Sequence, residues 1–164
     1  MKKIGVGLML LFIVGAGPGY SEPPPAAYKE AVQRQLSNKF NENDIIGFVY
    51  QVYAMYDRHV PVERFLPLLP GKNLEMRFPE TTLRSQADFK RWYAGIGKTI
   101  ASNTHTLESV QVRVLGSGRY QAEIVGVWQA ESKKGEFMRF KFRQRWSLVD
   151  GPSKQPLIQT YLVE

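Results

Sequence analysis

From Thr104 to Val163 the chain reads as four apolar–polar alternating runs with short breaks between them. Val110, Val112 and Val114 alternate with Gln111 and Arg113, and Gly116-Ser117-Gly118 then turns the chain into Tyr120–Gln129. A polar break at Ser132–Glu136 leads into Phe137–Val149, and a looser turn at Asp150–Pro156 leads into Leu157–Val163. Period-2 alternation between Gly-rich or polar turns is the pattern of an antiparallel meander. This sheet occupies the second half of the chain and sets the fold class, α+β.

Turn positions supply a register. If Ser117 centres the first hairpin, Val112 lies opposite Ala122 and Val110 opposite Ile124. If Lys134 centres the second, Trp128 lies opposite Phe140, Gly126 opposite Phe142 and Ala122 opposite Trp146. Small residues then face large ones, as a filled core requires. The core face is Val110, Val112, Val114, Ile124, Trp128, Met138, Phe140, Phe142, Trp146 and Leu148. The opposite face of the third run carries Arg139, Lys141, Arg143 and Arg145, so one face is buried and the other wetter. A slip of one residue would invert this assignment.

The first half supplies helices. Ala26–Phe40 has Val32, Leu36 and Phe40 at i, i+4 and i+8, which predicts a short helix after the stiff spacer Glu22-Pro23-Pro24-Pro25. Asn41–Asp44 offers N-cap chemistry for a second helix. Its stripe of Ile45, Val49, Val52 and Tyr56, with Phe48, Tyr53 and Met55 beside it, buries a wide face and ends near Arg58-His59. Val62–Leu69 makes a further helical turn, and Leu74–Phe78 is a brief strand stopped by Pro79. Ser85 and Asp88 have the spacing of a capping box. Behind them Phe89, Trp92, Tyr93, Ile96 and Ile100 define an amphipathic helix, weakened by Gly95 and Gly97.

The first 21 residues read differently. Lys2-Lys3, an apolar run from Ile4 to Val14, and small residues through Gly19 form the three regions of a secretory signal peptide. Cleavage is expected after Ser21, giving a periplasmic or secreted product with no stable membrane anchor. An uncleaved N-terminal anchor is the alternative, although the run is short for a membrane span. The chain contains no cysteine, which excludes disulfides, thiolate metal sites and a lipoprotein anchor. Residues 1–21 carry two lysines and no acid, so without them the formal charge of +7 becomes +5. That basicity suits either an ordinary soluble surface or an anionic partner. The remainder divides into a spacer and N-terminal helix at 22–40 and one domain at 41–164.

The order of elements (helix, helical turn, strand, helix, four meandering strands) resembles the nuclear transport factor 2-like fold, and within it the SnoaL-like families. The segments that carry the resemblance are Phe48–His59 leading into Val62–Leu69, Leu74–Pro79, the capped helix from Ser85, Thr104–Val112 and Phe142–Leu148. The resemblance implies a curved sheet wrapped on helices as a cone, with an apolar pocket inside. Members include isomerases, cyclases, dehydratases, ligand binders and interaction modules, so the fold leaves function open. SnoaL-like proteins often carry histidine at the start of the first long strand. His105 keeps one such position and Thr106 stands at a second. The acid-base pair of the ketosteroid isomerase branch has no recognisable counterpart.

His105 is the leading candidate for acid-base work near neutral pH, with a structural, hydrogen-bonded histidine as the alternative. Strict alternation would put it, with Leu107, on the face opposite Val110. A bulge near Glu108-Ser109 would turn both inward, and Leu107 favours that bulge because it otherwise faces away from the core. Asp57 ends the first core helix, which in the resembling fold lies beside the pocket mouth. It would serve as a general base if desolvation raised its pKa, or as a solvated helix-end acid otherwise. His59 reads as a loop residue. Two histidines among scattered acids fit no metal spacing, and no cofactor is expected. Tyr53, Tyr56, Trp92, Tyr93 and Trp128 are candidates to line a pocket for a flat apolar ligand, whereas Trp146 suits the core. Gln144 lies between Phe142 and Trp146 on the inward face, needs a partner if buried, and could orient a ligand. The basic row lacks interleaved aromatics, and Glu123 should face Arg145, so nucleic acid is not an expected partner.

Two functions remain open. One is binding, with or without metal-free acid-base transformation of the SnoaL type, of a small apolar or aromatic molecule in the cone. The other is an interaction module whose pocket is filled by its own side chains. Attachment to an anionic surface through the basic row is a third reading, and a homodimer is compatible with all three.

Overall fold

The computed structural model describes residues 23–164. The expected signal peptide at 1–21 and its cleavage site lie outside the described residues. Helix α1 spans Ala26–Leu36 and buries no residue. It stops short of the expected Phe40, because Ser37 Oγ (3.0 Å) and Asn38 Nδ2 both donate to the Arg34 carbonyl and close the last turn. Leu36 is left exposed, and Phe40 reaches the core independently, its N–H donating to Tyr120 Oη at 3.1 Å.

Helix α2 spans Glu42–Asp57 and begins with a reciprocal capping box. Asp44 N donates to Asn41 Oδ1 at 3.0 Å, and Asn41 N donates to Asp44 Oδ2 at 2.8 Å. The helix buries Ile45, Phe48, Val49, Val52 and Tyr53, a face as wide as the sequence pattern requires. Full burial of such side chains contributes about 1.5–3 kcal/mol each before ordering entropy is subtracted. Two 3₁₀ turns follow, Val62–Arg64 and Leu66–Leu68.

Strand β1, Glu75–Phe78, is followed at once by β2, Thr81–Leu83, an element not anticipated from sequence. Pro79 does stop the first strand, but the chain turns back through Glu80 and pairs Phe78 with Thr81 and Met76 with Leu83. Helix α3, Gln86–Thr99, is capped by Ser85, whose Oγ accepts from Asp88 N at 3.0 Å. The Asp88 carboxylate takes the Arg84 N–H at 3.0 Å; hydrogen bonding, led by the Ser85 hydroxyl, holds its pKa below the ordinary value.

Four long strands complete the molecule: β3 (Ile100–Gly116), β4 (Arg119–Ser132), β5 (Phe137–Val149) and β6 (Leu157–Val163). The sheet order is β2-β1-β6-β5-β4-β3. The last four strands are the expected antiparallel meander, while β1 joins β6 in parallel and makes the sheet mixed. The hairpin registers are those deduced from the turns: Val112 faces Ala122, Val110 faces Ile124, Trp128 faces Phe140, Gly126 faces Phe142 and Ala122 faces Trp146. Gly126 has no room for a side chain, since a Cβ there would lie 2.7 Å from both Phe142 Cζ and the Thr106 carbonyl.

The bulge is also present. Leu107 faces Gly126 and Ser109 faces Val125, leaving Glu108 as the extra residue in β3. Upstream of it Leu107 packs against the core and His105 turns inward. Three members of the expected core face stand outside the core: Phe140 is 58% exposed, and Trp128 and Met138 are half-buried. The first half of β5 extends past the helices, so Phe140 stacks only on Trp128 (centroids 5.8 Å apart) at the rim of the cone. Arg139, Lys141, Arg143 and Arg145 face outward. Lys141 pairs with Glu108, and Arg145 with Glu164 and Glu123, the kind of exposed ion pair worth about 0–1 kcal/mol.

Candidate functional site

The end of α2 and the start of β3 bring the site together. Asp57, the last residue of α2, accepts three hydrogen bonds from β3: His105 N to Oδ2 at 3.0 Å, His105 Nδ1 to Oδ1 at 2.5 Å, and Asn103 Nδ2 to Oδ1 at 2.9 Å. A carboxylate accepts only, so His105 carries its proton on Nδ1 when the ring is neutral. The other ring nitrogen, Nε2, has no hydrogen-bond partner among the described residues. Among the described residues no buried side-chain nitrogen or oxygen lacks one, so Nε2 is accessible. The imidazole is otherwise enclosed, 14% exposed, with the rings of Tyr53, Tyr56 and Phe142 at centroid distances of 4.9, 6.3 and 5.9 Å.

A second polar cluster lies deeper. Gln144 is 5% exposed, and its Oε1 accepts from Tyr53 Oη at 2.6 Å and from Trp146 Nε1 at 3.0 Å. Indole N–H is a donor only, which fixes the amide oxygen toward Trp146 and turns the amide nitrogen the other way. Burial pushes the Tyr53, Tyr56 and Tyr161 hydroxyls well above the ordinary phenol range, so they stay protonated; Tyr53 gives its proton to Gln144, and Tyr56 and Tyr161 keep theirs to donate.

Between the clusters lies a cavity of about 620 Å³. Its apolar wall includes Phe78, Trp92, Tyr93, Ile96, Trp128 and Phe142. His59, Asn103, His105, Gln144, Tyr56 and Tyr161 also line it. Trp92 is fixed by stacking on Phe78 (4.2 Å between centroids) and by its Nε1–H donating to Glu80 Oε1 at 3.2 Å. Tyr93 Oη donates to the Val60 carbonyl at 2.8 Å.

Of the residues singled out from sequence, Tyr56, Trp92, Tyr93, Trp128, Gln144 and His105 therefore meet in one wall. Two stand elsewhere. Tyr53 is 2% exposed and lies behind the wall, sandwiched against Phe142 and Trp146, where it orients Gln144. Asp57 is behind His105 rather than in the wall, and Asn103 and His105 occupy three of its acceptor positions. It orients the imidazole and is not placed to take a proton from a ligand itself. Sequence reading missed His59, Asn103, Phe78 and Tyr161. His59 looked like a loop residue, and Phe78 and Tyr161 reach the cavity through the parallel β1–β6 pairing, which no local pattern signals. Among the described residues no cluster of three or more His, Cys, Asp or Glu has the proximity of a metal site.

No protein-family model matches the chain, and no curated protein sequence matches it. Solved structures do. A Novosphingobium aromaticivorans protein provisionally assigned as a scytalone dehydratase is 11% identical with a TM-score of 0.69, over 83% of this chain and 87% of that one. A nuclear transport factor 2-like superfamily protein from Salmonella enterica is 13% identical with a TM-score of 0.64, over 83% and 92%. A Catenulispora acidiphila protein in complex with S-DNPA is 14% identical with a TM-score of 0.57, over 85% and 92%. Identities this low carry the architecture and leave the chemistry to the site.

Proposed function

Starting from a chain with the nuclear transport factor 2-like fold, we propose that its cone binds a small apolar or aromatic molecule and that His105 handles a proton on it. The observation that carries this reading is the cavity of about 620 Å³ with His105 in its wall. That volume falls within the roughly 300–1,000 Å³ usual for small-molecule sites, and aromatic walls with few polar groups suit a flat, sparingly soluble ligand. The S-DNPA complex of the Catenulispora protein lends support to small-molecule binding by this architecture.

The chemistry would run as follows. A ligand hydroxyl or acidic C–H placed against His105 gives its proton to Nε2, and Asp57 stabilises the resulting imidazolium through Nδ1–H. Negative charge developing on a ligand oxygen is met by the protonated hydroxyls of Tyr56 or Tyr161, both in the wall. The alternative, an interaction module with a filled cone, requires side chains where this cavity is open. Residues 1–21 fit the same picture as an export signal that leaves a periplasmic or secreted chain beginning at Glu22; N-terminal mass measurement of exported protein should find that start, and retention of Met1 would refute it.

The binding test is an NMR titration with a panel of naphthols and aryl ketones. Saturable shifts should appear at Trp92, Phe142 and His105, with Kd between roughly micromolar and millimolar for such small ligands. His105→Ala should weaken binding of the hydroxylated members several-fold with the fold intact. His105→Gln should keep part of the binding and no proton transfer. Shifts confined to the outer surface would refute the proposal.

A further inference from the structure

The last turn of α2 closes in a way that suits glycine and carries histidine. Val60 N donates to the Met55 carbonyl at 3.2 Å and His59 N to the Tyr56 carbonyl at 3.1 Å, the paired bonds of a Schellman motif with His59 at its left-handed position. His59 has φ of 48°, a region that glycine enters freely and side chains enter at a cost. Its side chain is engaged: Nε2 meets Asn103 Oδ1. Because Asn103 Nδ2 donates to Asp57, its oxygen must be the atom facing His59, and His59 must carry its proton on Nε2. The bonds thus converge on the Asp57 carboxylate. His59 donates to Asn103, Asn103 donates to Asp57, and Asp57 accepts again from His105.

We propose that His59 and Asn103 are positioning residues, and that His59 occupies a backbone site better suited to glycine in order to lock Asn103, Asp57 and hence the Nδ1–H form of His105. Asn103 alone could turn its amide over. Its oxygen would then oppose the Asp57 carboxylate, which would lose a donor and with it one of the constraints on its orientation. The His59 Nε2–H opposes that reversal, since a turned amide would set N–H against N–H unless the His59 proton moved to Nδ1. The result is an accessible Nε2 lone pair on His105, prepared before any ligand arrives. The inference rests on the reading of His105 as the group that meets the ligand.

The test needs no ligand. Ring-nitrogen NMR of the protein, at a pH where ordinary imidazoles are neutral, reports the His105 tautomer while thermal melting reports stability. The wild type should show a protonated Nδ1 and a bare Nε2. His59→Gly should raise Tm by about 3 °C, the shift expected for roughly 1 kcal/mol in a chain of this size, and should move the His105 nitrogens toward a mixture of tautomers. His59→Gln, which restores an N–H at similar reach, should return His105 toward the wild-type shifts. Asn103→Leu should mix the tautomers without raising Tm. The proposal is overturned if His59→Gly lowers Tm, or if either His59→Gly or Asn103→Leu leaves the His105 nitrogens unchanged. Failure of the cavity to bind any ligand would leave these outcomes untouched, so the two readings fall separately.

Discussion

Gln144 shows how much one side chain can organise. It is the buried polar side chain of the inner sheet face, and two donors, Tyr53 Oη and Trp146 Nε1, end on its oxygen. Gln144→Leu keeps the volume and orphans both donors inside the core. Each such group costs roughly 1–3 kcal/mol, and the two share surroundings, so a loss of about 2–4 kcal/mol is expected. Tyr53→Phe removes one donor together with its bond and should cost only about 1 kcal/mol. Urea unfolding of the two variants checks the contrast; equal losses would mean that the amide is not the hub. The sequence marked Gln144 as a polar residue on an apolar face that must find partners, but could not say which, because Tyr53 lies 91 positions away.

At the scale of elements, the extra residue in β3 decides which way His105 points. Leu107 made the bulge legible: an apolar residue on the polar parity of a strand calls for an inserted residue between it and the regular run. Deleting Glu108 should remove the bulge and leave Leu107 opposite Gly126 and His105 opposite Trp128, both still facing inward, because the residue removed is the unpaired one. Carbethoxylation of His105 should then stay as slow as in the intact protein. A deletion variant in which His105 reacts at the rate of an exposed histidine would contradict this account. The hairpin registers were legible for a similar reason, since turn residues sit at fixed offsets from the pairs they align. Strand β2 was not, because three residues are too few to display a period. Nor was the helix end at Leu36, which is set by Ser37 and Asn38 capturing a carbonyl rather than by the stripe that runs on to Phe40.

For the molecule as a whole, the core is unusually phenolic, and this gives it a pH limit. Burial raises the Tyr120 pKa to about 12, with its hydrogen bond to Asp150 adding to the effect. Tyr53, Tyr56, Tyr93 and Tyr161 are raised as well, burial first in each case. An unfolded chain releases these protons near pH ~10. The folded chain holds them longer, so their contribution is complete below about pH 10 and is lost as pH climbs through the folded values. Unfolding followed by circular dichroism should therefore coincide with tyrosinate absorbance above pH ~10. Ionisation of these buried tyrosines at ordinary phenol pKa with the fold intact would contradict the burial argument. The global order of helices and meander was readable from periodicity, whereas the emptiness of the cone was not. Trp92, Trp128 and Phe142 have the same spacing whether they meet one another or face a void, and only the curvature of the sheet decides between the two.

The central claim is that the void is a ligand site with His105 as its polar focus. A crystal structure of the protein soaked with a naphthol tests it most directly. The account predicts density for the ring between Trp92, Tyr93 and Phe142, with its oxygen within hydrogen-bond reach, about 2.6–3.2 Å, of His105 Nε2. A cone collapsed onto its own aromatic side chains, or a naphthol found only on the outer face of the sheet, would contradict it.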